Sequence, residues 1–360
     1  MDPREPVPLL EELVQIPSHE SVHEVCEYLT DVVDGARVHP ESGCVVATKG
    51  SQNGGPNVLL NSHMDVVPPH LPFERDDDVI RGRGSCDAKG SLVPLISAFS
   101  RVAPESGQVT LVVSPDEETY SEGLYDYLAL EGDRFDMAIN GEPTGLDVCN
   151  AARGSLKYIV DFEGVGAHAG TSESGRSAVS CAAEAVRRLE DMEQLEHEYL
   201  GTSNQTVSWI QGGPVGELTS QVPREVSMFI NRWSVPPESP EDFKHTLEEM
   251  LADLACDVTV RYPYQPNRFL EAHQVDPDET VIQDMADAVE GTTGSRPDVR
   301  PFAVAAESAF LSRYMPTAIF GPGLSADDEG PIAHSDREYV PVDEVDTAAD
   351  IVTSFLEDTV

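Results

Sequence analysis

Three short apolar runs in this chain stop abruptly on polar, mostly acidic groups: NVLLNSHMDVV, GQVTLVVSPDEE and FDMAINGEPT. Runs of this length and character predict buried strands. Segments with helical spacing lie between and around them: LLEELVQI and VHEVCEYLTDVV, then KGSLVPLISAFSRV, read as a helix despite Pro94, then SEGLYDYLAL. Helices alternating with buried strands imply an α/β architecture, a mostly parallel sheet with helices on both faces. The polar groups fall where the strands stop, and that carboxyl edge is where open α/β sheets bind ligands.

From about residue 154 the pattern changes. SLKYIVDFEGVG alternates apolar and polar, as a half-exposed strand does. A helix (SAVSCAAEAVRRLEDMEQL), two strands (QTVSWIQGG, EVSMFINRWSV), a helix (EDFKHTLEEMLADL) and a strand (DVTVRYPY) follow. This β-α-β-β-α-β order predicts a ferredoxin-like α+β domain over 154–263, inserted into a larger domain formed by 1–153 and 264–360.

At 360 residues the chain is long enough for two domains. Its 65 acids against 23 bases give a net charge of −42. The acids are spread through every segment, which fits a solvated surface in a salt-rich cytoplasm and argues against nucleic acid or an anionic membrane as partner. No apolar run reaches the roughly 18 residues of a membrane span. The start, MDPREPVPLL, has no basic, apolar leader. Six scattered cysteines without a C-x-x-C predict reduced thiols and an intracellular, cytoplasmic protein.

Five polar clusters end strands or open loops of the larger domain: His63 and Asp65 in SHMD, Asp87 in GRGSCDAKG, Glu117 and Glu118 in SPDEET, Glu142 in NGEPTG, and His334 in PIAHSD. Each alone is an ordinary loop residue. Gathered at one sheet edge, two histidines and several carboxylates need a counter-charge. Divalent cations supply it, and a His/carboxylate set without thiolate suits two ions of zinc, cobalt or manganese. Asp65, two residues from His63 on the same side of an extended strand, is placed to hold the imidazole's second nitrogen. Pro68 and Pro69 then end the strand without adding backbone donors.

SHMDVVP, GRGSCDAKG, DEE, GEPTG, GAHAG and AHSDREYV, in this order, resemble the motifs of the dinuclear zinc hydrolases that include acetylornithine deacetylase, succinyl-diaminopimelate desuccinylase, aminoacylase and glutamate carboxypeptidase. The resemblance runs from LLEELVQIPS to AHSDREYV. It implies that His63, Asp87 and Glu142 hold one metal and that Asp87, Glu118 and His334 hold the other, with Asp87 bridging. It implies that Glu117 is the general base and that the Asp87–Ala88 peptide is cis. His168 in GVGAHAG would reach a partner subunit's active site and stabilise the oxyanion, which makes a homodimer the expected state and the inserted domain a lid and dimerisation unit. Arg232 in FINRWSV resembles a clamp for a substrate carboxylate. Gly321 and Gly323 in FGPG resemble a loop that brings backbone close to substrate.

One departure narrows the resemblance. Tyr120 stands where many members carry glycine after the paired glutamates, followed by Ser121, Glu122 and Gly123. This run looks like the branch that releases lysine or ornithine from an amino-group carrier protein. A free amino-acid amide is the other candidate substrate, with acetylornithine deacetylase and succinyl-diaminopimelate desuccinylase as rival activities. A non-catalytic amino-acid- or peptide-binding relative is the rival of another class. The absence of G-x-S-x-G and of G-x-x-x-x-G-K-[ST] argues against a serine hydrolase and a P-loop NTPase. Gly164, Gly166 and Ala169 only faintly mimic a dinucleotide fingerprint.

Overall fold

The computed structural model describes residues 2–52, 54–119, 121–213, 220–263 and 268–360. Tyr120 and the expected return to the larger domain at 264 lie outside them. The chain divides into two compact units, one of Met1–Ala152, Gln274–Phe302 and Ala306–Val360, the other of Arg153–His273 and Ala303–Ala305.

The first unit is built on a nine-stranded sheet. Its centre is four parallel strands in the order Gln108–Ser114, Asn57–His63, Met137–Gly141, Thr317–Phe320. The register sets His63 beside Ser114, Asn61 beside Asn140 and Gly141 beside Phe320. All four carboxyl ends are therefore level at one edge. Val45–Gly50 lies antiparallel along one side, and Val148–Ala152 meets Thr317–Phe320 antiparallel on the other.

Valine, leucine and isoleucine fill these strands because both sheet faces are covered. Leu9, Leu13, Leu92, Ile96, Phe99, Ile351 and Phe355 from three helices join one core with Val58, Leu60, Leu111 and Ile139. The helix Lys89–Arg101 runs through Pro94 as expected, and every residue from Lys89 to Ser100 is buried. It lies so close to the sheet that a Cβ on Gly141 would come within 2.9 Å of Leu95 and 3.0 Å of the Ser91 carbonyl. Lys89 Nζ donates to the carbonyls of Leu13 (3.0 Å) and Ile16 (2.7 Å), closing the end of the first helix.

The second unit has the expected β-α-β-β-α-β order. Its antiparallel sheet runs Asn204–Gly212, Glu225–Ser234, Gly154–Glu163, Asp257–Arg261, the strand order of a ferredoxin-like fold. Alternate residues Leu156, Tyr158, Val160 and Phe162 pack with Ala182, Ala185 and Leu189 of one helix and Phe243, Leu247 and Leu251 of the other. The helices start where the sequence caps them. Ser177 Oγ accepts from Ser180 N, and Ser239 and Asp242 form a capping box ahead of Pro240. Among the described residues no helix is long and apolar enough to cross a membrane.

One expectation is overturned here. Cys181 and Cys256 form a disulfide, with Cα atoms 6.3 Å apart across 75 residues. The pair joins the helix Ala178–Glu190 to the residue before Asp257–Arg261, inside the apolar cluster. Spacing in sequence carries no trace of this contact, because the fold alone brings the two together. Cys26, Cys44, Cys86 and Cys149 are free thiols. Closing a loop of this length restricts the unfolded chain by about 3–5 kcal/mol. Cys256→Ser, or a reductant, is therefore expected to lower the thermal midpoint of the second unit, read by calorimetry with and without reductant; an unchanged midpoint would show that the bridge adds no stability.

Candidate metal centre

The carboxyl edge of the parallel strands is where the acids converge. His63 is the last residue of its strand. Its Nδ1 lies 3.0 Å from the main-chain oxygen of Asp65 and 3.3 Å from that residue's Oδ1, and its Nε2 lies 3.2 Å from Asp87 Oδ1. A proton on Nδ1, donated to Asp65, leaves the Nε2 lone pair on the side of Asp87. Asp65 does more than the sequence implied. Its two carboxylate oxygens accept from the main-chain amides of Glu117 (3.0 Å) and Glu118 (2.9 Å), so it ties the glutamate pair to the end of the His63 strand.

Asp87 is held from behind by Glu338, which sequence reasoning did not single out. Glu338 Oε1 accepts from the amides of Gly84 (2.9 Å), Cys86 (3.2 Å) and Asp87 (3.1 Å), and Oε2 accepts from Arg83 at 2.5 Å. Arg83 also donates to the carbonyls of Pro69 and Ser335. Both members of this ion pair are 2% exposed. The Asp87–Ala88 peptide is cis, as the resemblance implied.

Glu142 follows directly on its strand and is buried. The amides of Gly321 and Gly323, in the loop expected to bring backbone close to substrate, are bonded within the protein. Gly321 N donates to Thr144 Oγ1 (3.1 Å), and Gly323 N donates to Glu344 Oε2 (2.7 Å). A Cβ on Gly321 would lie 2.6 Å from the Glu142 carbonyl, and Gly323 adopts φ +76°. These positions need glycine to let the FGPG loop close on the Glu142 loop.

His334, itself at φ 61°, places Nε2 2.9 Å from Glu118 Oε1 and 3.3 Å from Asp87 Oδ2. The result is three overlapping triads: His63, Glu117, Glu118; His63, Asp87, Glu142; and Asp87, Glu118, His334. Within each, one donor atom per residue lies within 4.8 Å of the others. His168 and Arg232 belong to the second unit.

Electrostatics say what this arrangement lacks. Burial raises the acid of Glu117 well above the carboxylate range; Glu118, Glu307 and Asp87 add to the rise against the opposing charge of His63. Burial likewise raises Glu142 and Glu118. Hydrogen bonds to Asp87 and Glu118 push His334 up to about 11. For His63 burial opposes the charge, yet Asp65 and Asp87 outweigh it and hold the ring above its usual value. The cluster retains protons because positive charge is short. Among the described residues no triad includes a cysteine; imidazole and carboxylate donors of this kind fit borderline or hard divalent cations.

The sequence profile of Peptidase family M20/M25/M40 matches residues 59–358. The chain belongs to that family. It is 30% identical over 350 residues, 95% of this chain and 94% of the other, to a Pyrobaculum aerophilum protein named as a LysW-lysine/LysW-ornithine hydrolase. An uncharacterised metallohydrolase of Methanocaldococcus jannaschii is 32% identical over 216 residues; that match spans 57% of this chain and 60% of the relative's length. In structure, an M20 family metallo-carboxypeptidase of Sulfolobus solfataricus superposes with a TM-score of 0.77 at 17% identity, covering 99% of both chains. The protein is thus an M20 metal-dependent hydrolase of carbon–nitrogen amide bonds, in a family of dinuclear enzymes.

Arg232 of this M20 hydrolase departs from the carboxylate clamp expected of it. It is 1% exposed. Its Nε and Nη2 bind Glu238 bidentately at 2.8 Å each; Nη1 reaches Gln194 and Gln205 at 2.7 Å, and Nη2 reaches Ser203 at 2.9 Å. All the N–H donors of a guanidinium are then used, and Phe243 packs on its face. Arg232 lies on the strand Glu225–Ser234, as FINRWSV implied, but nothing local marks Glu238, six residues on, as its partner. His168 is exposed, with Nδ1 accepting from Gly170 N at 3.0 Å.

Two outcomes follow from this geometry. Arg232→Ala strands a buried carboxylate, so it is expected to cost the second unit about 3–5 kcal/mol, with KM unchanged in the folded fraction; a tenfold higher KM at unaltered thermal midpoint would restore the clamp. Cation loading is expected to release protons at pH 8, because His334, pushed up to about 11 by its bonds to Asp87 and Glu118, holds its proton until a cation displaces it. Apparent cation affinity therefore rises with pH and falls on acidification. Calorimetry in buffers of different ionisation enthalpy reads the released protons, and zero release at pH 8 contradicts the charge balance drawn here.

Proposed function

We propose that this hydrolase releases lysine or ornithine from the glutamyl side chain of an acidic amino-group carrier protein, in lysine or arginine biosynthesis in the cytoplasm. The observation that carries the hydrolytic part is the pair of triads that share Asp87, with Glu117 beside them. The carrier-linked substrate draws its support from the near full-length similarity to the LysW-lysine/LysW-ornithine hydrolase and from the run Ser121, Glu122, Gly123 after the glutamates.

In this reading His63, Asp87 and Glu142 hold one divalent cation, and Asp87, Glu118 and His334 the other, zinc by preference and cobalt or manganese as substitutes. When bound, the pair supplies Lewis acidity for the scissile carbonyl and the attacking water. Glu117 accepts the water's proton and returns it to the leaving amine; an acid already raised by burial and like charge suits both transfers near neutrality. Asp65 orients the His63 ring through Nδ1 and holds the main chain of Glu117, so base and ligand keep one spacing. Glu338 and Arg83 fix the loop that presents Asp87. His168, on the 154–263 insertion acting as lid, would stabilise the oxyanion in the partner subunit of a homodimer.

Glu117→Gln should retain both cations by elemental analysis while kcat falls by about 10²–10⁴-fold, measured on a panel of carrier-linked lysine and ornithine, acetylornithine, succinyl-diaminopimelate and dipeptides. Near wild-type turnover by this variant would remove Glu117 from the base's role. Preference for a free acyl amino acid over the carrier-linked ones would replace the proposed substrate and leave the chemistry standing. Mixing Glu117→Gln with His168→Ala subunits should restore part of the activity if the site is shared across the dimer.

A further inference from the structure

Beneath the triads lies a second polar group that the proposed chemistry does not use. Glu307 is fully buried at the start of the short helix Ser308–Leu311. Its Oε2 accepts from Ser114 Oγ at 2.5 Å and from Asn61 Nδ2 at 3.2 Å. Asn61 Oδ1 accepts from Asn140 Nδ2 at 2.9 Å, and Asn140 Oδ1 accepts from the amide of Ser308 at 3.0 Å. The chain from Glu307 to Ser308 closes this into a ring. Glu307, Asn61, Asn140 and Ser114 are each 0% exposed.

The positions matter more than the bonds. Asn61 stands two residues before His63 and Asn140 two before Glu142, so each asparagine projects from the same side of its strand as the site residue beyond it. Ser114 ends its strand three residues before Glu117 and pairs with His63 in register. One carboxylate is thus tied to all three strand ends that deliver the site. Strand register itself needs none of this, since the main-chain ladders already set it. A buried carboxylate is a costly choice for simple packing, because an apolar side chain would avoid its desolvation. Its Oε1 has no hydrogen-bond partner among the described residues, and burial pushes the acid up to about 7. Buried polar groups left incompletely satisfied call for a reason beyond stability.

We propose that Glu307 is a positioning residue of the reaction, which through Asn61, Asn140 and Ser114 fixes the three strand ends presenting His63, Glu142 and Glu117. The inference rests on reading the triads as cation sites, and its test separates the two. Glu307→Ala removes the acceptor; Glu307→Asp keeps the charge and shortens the reach; Glu307→Gln keeps reach and acceptor without charge. Cation affinity by chelator competition, kcat and KM, and the imidazole nitrogen spectrum of His63 in cation-free protein are measured for each. Ala and Asp are expected to lose about 10–100-fold in cation affinity and in kcat, with KM within about twofold, and to shift the His63 ring signals; Gln is expected to stay near wild type. If Ala does not fold, Asp carries the comparison. A lower thermal midpoint with cation affinity, kcat and ring signals unmoved would overturn the proposal, as would a Gln variant as impaired as Ala. If wild type binds no cation, the functional reading falls, and the His63 ring signals alone then decide the role of Glu307.

Discussion

Everything at the functional end of this molecule depends on forcing like charges together. Asp87, Glu117, Glu118 and Glu142 converge with His63 and His334 among them. Two unit charges 4 Å apart repel by about 4 kcal/mol at the effective dielectric of a protein. Left to themselves such side chains would turn away to solvent. They cannot, because Glu117, Glu118 and Glu142 lie just beyond strands whose main chains are locked by parallel ladders and whose apolar residues are anchored in the core, and Asp87 lies in a turn held by Glu338. The sheet supplies the force, and the acids supply the chemistry.

Ladders alone stop at the last paired residue, and the functional groups lie at or past that point. Each overhang is therefore tied down separately. Asp65 grips the amides of Glu117 and Glu118; Glu338 grips three amides around Asp87 and is itself neutralised by Arg83. Carboxylates suit this work because two oxygens accept several N–H groups at once, and charge strengthens each bond. The site is consequently acidic at two depths, with residues that face the reacting groups and residues that hold them. The second unit uses the same device for a different end, where Glu238 saturates Arg232 and fixes a strand to the start of a helix.

The sequence made the reacting groups legible and their supports nearly invisible. His63, Glu117, Glu118 and Glu142 end or follow continuous apolar runs, so the signal that marks a buried strand also marks its end, while Asp87 and His334 were legible through the motifs GRGSCDAKG and PIAHSD. The ferredoxin-like order was legible for the same reason, since its strands alternate and its helices carry caps. Arg232 was misread because its meaning depends on Glu238, Gln194, Gln205 and Ser203, which no local pattern joins. The Cys181–Cys256 bridge spans 75 residues and was equally silent. Asn61 and Asn140 did leave a trace, as amides interrupting VLL-N-SH and MAI-N-G, and a buried strand does not take an asparagine without a partner. Glu307 left none, for in a chain with 65 acids a single glutamate draws no notice, and Glu338 lay inside AHSDREYV without any sign that its partners are Arg83 and the turn before Asp87.

That abundance also explains why burial, more than identity, is the informative property of an acid here. Most of the 65 are solvated and their charge is diluted by water and salt. Those few withdrawn from solvent feel one another strongly, and the shifts at the site follow: burial raises Glu117, Glu118 and Glu142, the carboxylates around them raise His63 and His334, and Asp87, though buried, is held below its usual range by its bonds to both histidines. A cation entering such a cluster would exchange with protons held among donors that the fold has already gathered, within 4.8 Å of one another in each triad. Preorganisation of this kind is what allows donors drawn from residues 63 to 334 to behave as one site, and it moves the cost of assembling them from the moment of binding to the folding of the sheet.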